Sequence, residues 1–171
     1  MLDLHQTLNA INSYGKRREY YQGIYTVKNP QKYIGTHKPV YRSSYEKRCF
    51  EFFDANENIL KWGSEVLTIP YMYDLDNRGR SHKYFVDIAC TVKQKDGTVQ
   101  KYAIEIKPKE SLNPPQKPKN PTKKAMKNYL YSLATYVKNK NKWEAARKFC
   151  DGNGWKFVVL TEDHIFGGRM I

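Results

Sequence analysis

The sequence predicts a single α/β (α+β) domain in which a mixed central sheet is flanked by helices. An amphipathic helical pattern begins at Ser43, alternating apolar and polar runs follow it, and a long helical stretch from Thr122 precedes the apolar run WKFVVL. A chain of 171 residues is long enough for one domain with a hydrophobic core and too short for two comfortable domains. The predicted order is therefore α-β-β-β-α-β.

The first helix carries an acid on its apolar face. The stretch SSYEKRCFEFFD places Glu46, Phe50 and Phe53 on one side by their i, i+4, i+7 spacing. An inward carboxylate is costly unless it is paired or binds a metal. Ser43 to Glu46 also reads as a capping box, with Glu46 returning to the Ser43 N–H. Further along, NENILKW is predicted to be a turn and connector, and EVLTIPYMY a strand.

The stretch FVDIACTVKQKDGTVQKYAIEIKP is predicted to form a hairpin, and the length of its loop decides which side chains meet. A three-residue loop, Lys95-Asp96-Gly97 with Gly97 in the left-handed conformation, pairs Gln94 with Thr98 and sets Asp87 directly opposite Glu105. A two-residue turn would instead place Asp87 opposite Ile106. The three-residue loop sorts the other side chains consistently, with Val86, Ile88, Cys90 and Val92 on the face of Tyr102, Ile104 and Ile106. We therefore expect the three-residue loop.

Two opposed carboxylates destabilise a hairpin unless a cation or basic neighbours neutralise them. Asp87 and Glu105 can hold Mg²⁺, the backbone carbonyl of Ile106 can add an oxygen, and Lys107 on the same face can orient or deprotonate a water. This set is sufficient to hydrolyse a phosphodiester. The competing interpretation is a structural cluster in which Lys107 and nearby arginines satisfy both acids.

The prolines, glycines and apolar runs of the remaining sequence predict its secondary structure. Five prolines make residues 108–121 an exposed loop, and the helix after Thr122 is expected to break near Asn139 to Asn141 and to end at Gly152 and Gly154. The strand WKFVVL should be buried and parallel to a neighbour. The three cysteines are expected to be buried reduced thiols, and the spacing of the four histidines argues against a structural zinc site.

A formal net charge of +13 makes nucleic acid a candidate partner. Residues 1–42 are interpreted as a short N-terminal helix and a basic, aromatic arm, and residues 43–171 as the main domain. The arm is expected to contact DNA, to wrap the core, or to do both. The candidate DNA-binding residues are Lys16, Arg17, Arg18, Lys123, Lys124 and Lys127, the last three of which also fit a solvated helix face. We expect no membrane span and no secretory signal, hence a protein that stays soluble where it is made.

The order Glu46, Asp87, Glu105-Ile106-Lys107 resembles the PD-(D/E)xK nuclease superfamily, with Val86 where the family name has proline. The resemblance implies a restriction-endonuclease-like core. It also implies that Asp87 and Glu105 are metal ligands, that Lys107 is the catalytic lysine, and that Glu46 is a third acid at the metal. His82, five residues before Asp87, is a candidate for supporting the site.

Two narrower resemblances cover more of the chain. YRSSYEKRCFEFFDANENILKWGSEVLTIPY followed by the hairpin is similar to the TnsA-like endonuclease subunits of heteromeric bacterial transposases. NPQKYIG, VYRSSYE, IEIKPKES and KWEAARKFCDGNGWKFVVLTED are similar to the head completion nucleases of large contractile-tailed phages. The latter implies a Mg²⁺-dependent deoxyribonuclease, with Mn²⁺ as a substitute, acting on packaged phage DNA before head-tail joining. It further implies phage head, portal or neck proteins as partners, and a location in the host cytoplasm or at the virion head or neck.

Two alternatives to an independent nuclease remain open. One is a non-enzymatic protein that binds DNA ends or the portal, and the other is an endonuclease subunit that needs a protein partner. The sequence is compatible with endonucleolytic or exonucleolytic cleavage, with one or two metal ions, and with any oligomeric state.

Overall fold

The computed structural model describes residues 21–167, so the predicted N-terminal helix and the basic residues Lys16, Arg17 and Arg18 lie outside the described residues. Three short sheets and three α-helices make up this part of the chain. The strands are β1 (Gly23–Ile24), β2 (Val40–Tyr41), β3 (Ile59–Ser64), β4 (Thr68–Met72), β5 (Ser81–Phe85), β6 (Ile88–Lys93), β7 (Val99–Ile106) and β8 (Trp155–Leu160), and the helices are α1 (Ser44–Ala55), α2 (Lys123–Asn153) and α3 (Glu162–Phe166).

The central sheet has the strand order β3-β6-β7-β8. The β3/β6 and β6/β7 pairs are antiparallel, and β7/β8 is parallel, so the sheet is mixed. With α1 before β3 and α2 between β7 and β8, the core has the order α-β-β-β-α-β. The predicted fold class is confirmed.

One strand of that core was assigned wrongly from the sequence. The connector predicted at NENILKW contains β3, an edge strand of the central sheet, whereas EVLTIPYMY contributes β4, which pairs only with β5 in a separate two-stranded sheet. In β3 the buried positions are Ile59, Trp62 and Gly63, a pattern that a register shift between Ile59 and Lys61 makes irregular. Strict alternation, the signal used for strands, is therefore absent from β3.

The β6/β7 hairpin has the predicted register. Ile88 pairs with Ile104 and Lys93 with Val99, and the N–H of Gln94 donates to the Thr98 carbonyl at 2.8 Å. Gly97 has φ +84, the left-handed conformation that closes the three-residue loop. Continuing the ladder one residue beyond Ile88 and Ile104 places Asp87 opposite Glu105.

Both faces of the central sheet are covered. The first core lies under α1 and joins Cys49, Phe50 and Phe53 to Trp62 and to the even-numbered side chains of the hairpin. The second core lies under α2 and joins Ala146 and Cys150 to residues of β4, β5 and β7. Each large side chain that is fully buried in these cores stabilises the fold by about 1.5–3 kcal/mol. Val86 belongs to the second core and not, as predicted, to the face of Ile88.

Helix α2 is continuous, so the predicted break at Asn139 to Asn141 is wrong. Asparagine costs a helix only a fraction of 1 kcal/mol. Asn141 also exchanges side-chain hydrogen bonds with Asp74, through its amide to Oδ2 at 2.7 Å and from the Asp74 N–H at 3.1 Å. The helix ends at Gly154 in the left-handed conformation, and Gly152 lies inside its last turn.

The proline-rich segment 108–121 contains one turn of 3₁₀-helix, Lys109–Leu112, and is otherwise irregular. The prediction of a loop is correct apart from that turn. The three cysteines are buried and unpaired, as expected. Among residues 21–167, no helix is long and apolar enough to cross a membrane.

Residues 21–42 pack on the core, as in the wrapping interpretation of the arm. Tyr25 is buried in the first core, and its hydroxyl donates to Asp54 Oδ2 at 3.0 Å. The buried Asp54 carboxylate also accepts hydrogen bonds from the backbone N–H groups of Lys28 and Asn29, at 2.7 and 3.1 Å. One acid on α1 thus fixes the path of this segment.

Candidate active site

Asp87 lies at a bend between β5 and β6, where the chain passes from the two-stranded sheet to the central sheet. Its Oδ2 accepts a hydrogen bond of 2.7 Å from the backbone N–H of Ile106. No described residue donates a hydrogen bond to its Oδ1. The backbone is held as well, because the N–H of Glu65, a residue with φ +54, donates to the Asp87 carbonyl at 3.3 Å.

Glu105 is only 2% exposed, and both of its oxygens have partners. Lys107 Nζ lies 2.8 Å from Oε1, and the Tyr84 hydroxyl donates to Oε2 at 2.5 Å. Lys107 follows Glu105 by two residues on one strand, and Tyr84 enters from β5. Tyr84 was not singled out from the sequence, although it lies three residues before Asp87 at a buried position.

Burial and the neighbouring charges shift the pKa values of the side chains in the site. Burial raises the pKa of Asp87 to about 7, and the negative charges of Glu105 and Glu46 add to the increase against the opposing effects of Lys107 and the Ile106 N–H. Burial acts to lower the pKa of Lys107, but the Glu105 and Asp87 carboxylates outweigh it, so this pKa is raised. Burial and the charge of Glu105 also raise the pKa of Tyr84. At neutral pH Lys107 is therefore an ammonium and Tyr84 a neutral donor.

Glu46 is half-buried in the first turn of α1. The Ser43 hydroxyl accepts from the Glu46 N–H at 3.1 Å, but the Glu46 carboxylate accepts from the N–H of Arg42 and not, as predicted, from that of Ser43. Its negative charge adds to the raised pKa values of Asp87 and Lys107, so Glu46 acts on them electrostatically. The structure brings Asp87, Glu105 and Lys107 together, and the role of Glu46 at the metal stays a prediction.

The chemistry of this donor set fits Mg²⁺. Asp87 and Glu105 supply hard oxygen ligands. Because the N–H and C=O of one residue point to the same side of a strand, the Ile106 carbonyl is directed to the side on which its N–H meets Asp87. Burial and then the negative charge of Glu105 raise the pKa of Asp87, and a bound cation would oppose both effects. Within residues 21–167 no three acid, histidine or cysteine side chains form a complete metal cluster, and Mg²⁺ commonly uses one or two carboxylates with water and substrate phosphate.

Lys142 of α2 also reaches the site. Its Nζ lies 5.1 Å from the centre of the Tyr84 ring, whose hydroxyl binds Glu105. Burial lowers the pKa of Lys142, with Glu105 and Asp87 acting against burial and Lys107 and Lys138 acting with it. The sequence, which groups Lys142 with the other lysines of this helix, is compatible with a solvated helix face or with contact to phosphates, and does not place Lys142 at the acids. Its spacing of four from Ala146 and eight from Cys150, both buried, was the available signal.

The other predicted residues lie elsewhere. His82 Nε2 is 2.8 Å from Asp76 Oδ2, and the His82 ring packs against Tyr71 and Tyr73, so none of these contacts reaches Asp87 or Glu105. Its predicted support of the site is therefore at most indirect. The exposed basic side chains at the start of α2 are Lys123, Lys124 and Lys127. Their contact with DNA stays a prediction.

Comparison with known proteins agrees with this geometry. The family described as TnsA-like endonuclease N-terminal matches residues 56–162, which span β3 to the start of α3 and include Asp87, Glu105 and Lys107. The chain belongs to this family, and the PD-(D/E)xK architecture predicted from the sequence is consistent with it.

A curated relative extends the similarity to most of the chain. The chain is 41% identical over 144 residues, 84% of its length and 92% of the relative's, to the head completion nuclease of Enterobacteria phage T4. No solved structure matches the chain significantly. Both matches are to nucleases, which supports the activity expected from the hairpin.

Proposed function

We propose that the protein is a metal-dependent deoxyribonuclease that hydrolyses phosphodiester bonds. The observation that carries the proposal is the opposition of Asp87 to Glu105 with Lys107 bound to Glu105 at 2.8 Å. This is the constellation expected for phosphodiester hydrolysis, and both the family and the phage relative are nucleases.

In this proposal Asp87, Glu105 and the Ile106 carbonyl hold Mg²⁺, for which Mn²⁺ can substitute, and Glu46 lies beside it. When bound, the ion supplies positive charge that stabilises the phosphate in the transition state. Lys107 keeps its proton and acts as a donor that orients the attacking water or the phosphate. Tyr84 and the Ile106 N–H hold the two carboxylates in place, so little reorganisation is needed when substrate binds.

DNA is the proposed substrate. The formal net charge of +13 favours binding to phosphates, through Lys16, Arg17, Arg18 and the start of α2. The test is to incubate purified protein with supercoiled, linear and branched DNA, with and without Mg²⁺. We expect Mg²⁺-dependent cleavage by the wild type and none by D87A, while D87A still binds DNA. Loss of the supercoiled form would indicate endonucleolytic cleavage, and shortening of linear DNA from its ends exonucleolytic cleavage.

The biological role is proposed from the relative. A protein 41% identical to a phage head completion nuclease is suited to act on packaged DNA in filled heads before tails join. Its partners would then be phage head, portal or neck proteins, and its location the host cytoplasm or the virion itself. Complementation with D87N distinguishes this role from that of a non-enzymatic plug, because a plug should still yield infectious particles and a nuclease should not.

Cleavage that requires a protein partner would give a distinct experimental result. The chain belongs to the TnsA-like endonuclease N-terminal family, and the sequence resemblance to transposase subunits makes a subunit that is silent alone the second candidate. Cleavage that appears only when head or neck proteins are added, and that D87A abolishes, would favour this candidate over an independent nuclease.

A further inference from the structure

Lys142 lies on the sheet-facing side of α2, one turn before the buried apolar residues that form a stripe along this side. It is half-buried, and the next two positions on the same stripe, Ala146 and Cys150, are 0% and 1% exposed. One turn earlier on the stripe lies Lys138, whose Nζ is 5.9 Å from the centre of the Tyr73 ring. The face of α2 that packs on the sheet at Ala146 therefore becomes basic as the helix approaches the acids.

The ammonium of Lys142 has no carboxylate partner among the described residues. Its contact there is with the Tyr84 ring, at 5.1 Å, and the oxygens of nearby Glu105 are already bound by Lys107 and Tyr84. A partly desolvated cation that lacks an acid is costly. A cation–π contact offsets part of this cost. The remaining hydrogen-bonding capacity of the ammonium is available to an external anion.

The charge of the whole site favours a phosphate as that anion. Lys107 and Lys142 balance Asp87 and Glu105, so a divalent cation held by the two acids would leave an excess of two positive charges. Glu46 reduces that excess to one. A phosphodiester carries one negative charge and would complete the balance.

We propose that Lys142 contacts a phosphate of the DNA strand that lies in the active site. This proposal rests on the nuclease function proposed above and adds a residue from α2 to a site otherwise built from the hairpin and α1. Lys107 binds Glu105 from the same strand, whereas Lys142 approaches over the Tyr84 ring. The two lysines would thus hold the DNA backbone from different directions.

The test compares K142M with K140M in steady-state cleavage of linear and supercoiled DNA with Mg²⁺. Methionine keeps an unbranched apolar side chain one atom shorter than lysine and removes the charge, and K140M removes the same charge from an exposed position of the same helix. A charge-assisted hydrogen bond is worth enough to change kcat/KM by about 10- to 100-fold. We expect that loss in K142M, less than about threefold in K140M, and recovery of most of the rate in K142R. Thermal unfolding of K142M should match that of the wild type.

The outcomes separate the two proposals. Cleavage by the wild type with equal losses in K142M and K140M would overturn the role of Lys142 and leave the nuclease intact. A loss in K142M that follows a lowered Tm and that K142R does not rescue would make Lys142 a packing residue and overturn the proposal as well. No cleavage by the wild type on any DNA form, with head and neck proteins added, would remove the nuclease function and this inference with it.

Discussion

Asp87 Oδ2 lies 2.7 Å from the backbone nitrogen of Ile106, so the strand that carries Glu105 and Lys107 also holds the carboxylate of its neighbour. The two acids are therefore fixed relative to each other by a single hydrogen bond and by the register of one hairpin. Changes at these residues and at their neighbours should therefore alter stability, metal binding and cleavage.

The contribution of Asp87 to the stability of the metal-free protein should fall as pH rises from about 4 to about 7. The pKa of Asp87 is raised to about 7 in the folded state, so the folded protein binds the proton more tightly than the unfolded chain, and this contribution is lost as Asp87 ionises. D87N removes the charge but keeps an acceptor for the Ile106 N–H. At pH 8 without metal, D87N should be more stable than the wild type by about 2 kcal/mol, allowing for partial solvent screening.

The measurement is denaturant unfolding of both proteins at pH 5 and pH 8, with EDTA and then with Mg²⁺. The difference in the free energy of unfolding between D87N and the wild type should be small at pH 5. At pH 8 this difference should become smaller when Mg²⁺ is added. A wild type that gains stability with pH relative to D87N would contradict the raised pKa.

Tyr84→Phe should affect both stability and metal binding. The substitution leaves one buried Glu105 oxygen without its donor, which costs about 1–3 kcal/mol. Loss of a residue that holds a metal ligand in place lowers metal affinity or activity by about 10- to 100-fold. Tyr102→Phe is the matched control, because the Tyr102 hydroxyl has only a 3.5 Å contact from Gln94. Equal Mg²⁺ dependence of cleavage in Y84F and Y102F would count against the proposed role of Tyr84.

Gly97→Ala tests the loop that sets the hairpin register. A Cβ at Gly97 would meet nothing within 4 Å, so the cost comes from φ +84 alone and should be about 1–2 kcal/mol. Gly152→Ala is the control, since its Cβ also meets open space but lies in a helix, where alanine stabilises by up to about 1 kcal/mol. Thermal unfolding should show a lowered Tm for G97A and a raised Tm for G152A. A stable G97A would mean that the loop does not require the left-handed conformation.

The sequence predicted the part of the site that depends on local patterns. The alternation around Asp87 and Glu105, together with Gly97, determined the register, and the structure has that register. Tyr84 was missed, and Lys142 was not placed beside the acids, because both positions depend on the packing of β5 and α2 on the hairpin, a tertiary relation that local sequence periodicity does not show. Strand β3 was missed because its irregular register breaks the alternation.

Some features were misjudged because two local signals competed. At Asn139 to Asn141 low helix propensity suggested a break, yet contacts with Asp74 and the packing of the helix face preserve a continuous α2. At Glu46 the capping-box spacing was correct, but its carboxylate reaches the N–H of Arg42, one residue before the cap. Tertiary contacts decide between the two local alternatives in α2. At Glu46 the direction of the side chain decides between them.

If Asp87 and Glu105 together hold the divalent ion that cleavage requires, the initial rate of DNA cleavage must depend on both Mg²⁺ and Asp87. We would measure that rate against Mg²⁺ concentration for the wild type and D87N. The rate should rise to saturation for the wild type and should be lower by at least about 1000-fold for D87N, because several kcal/mol of charge stabilisation are lost. Equal rates for the two proteins, or undiminished cleavage by the wild type in EDTA, would contradict this role of the two acids.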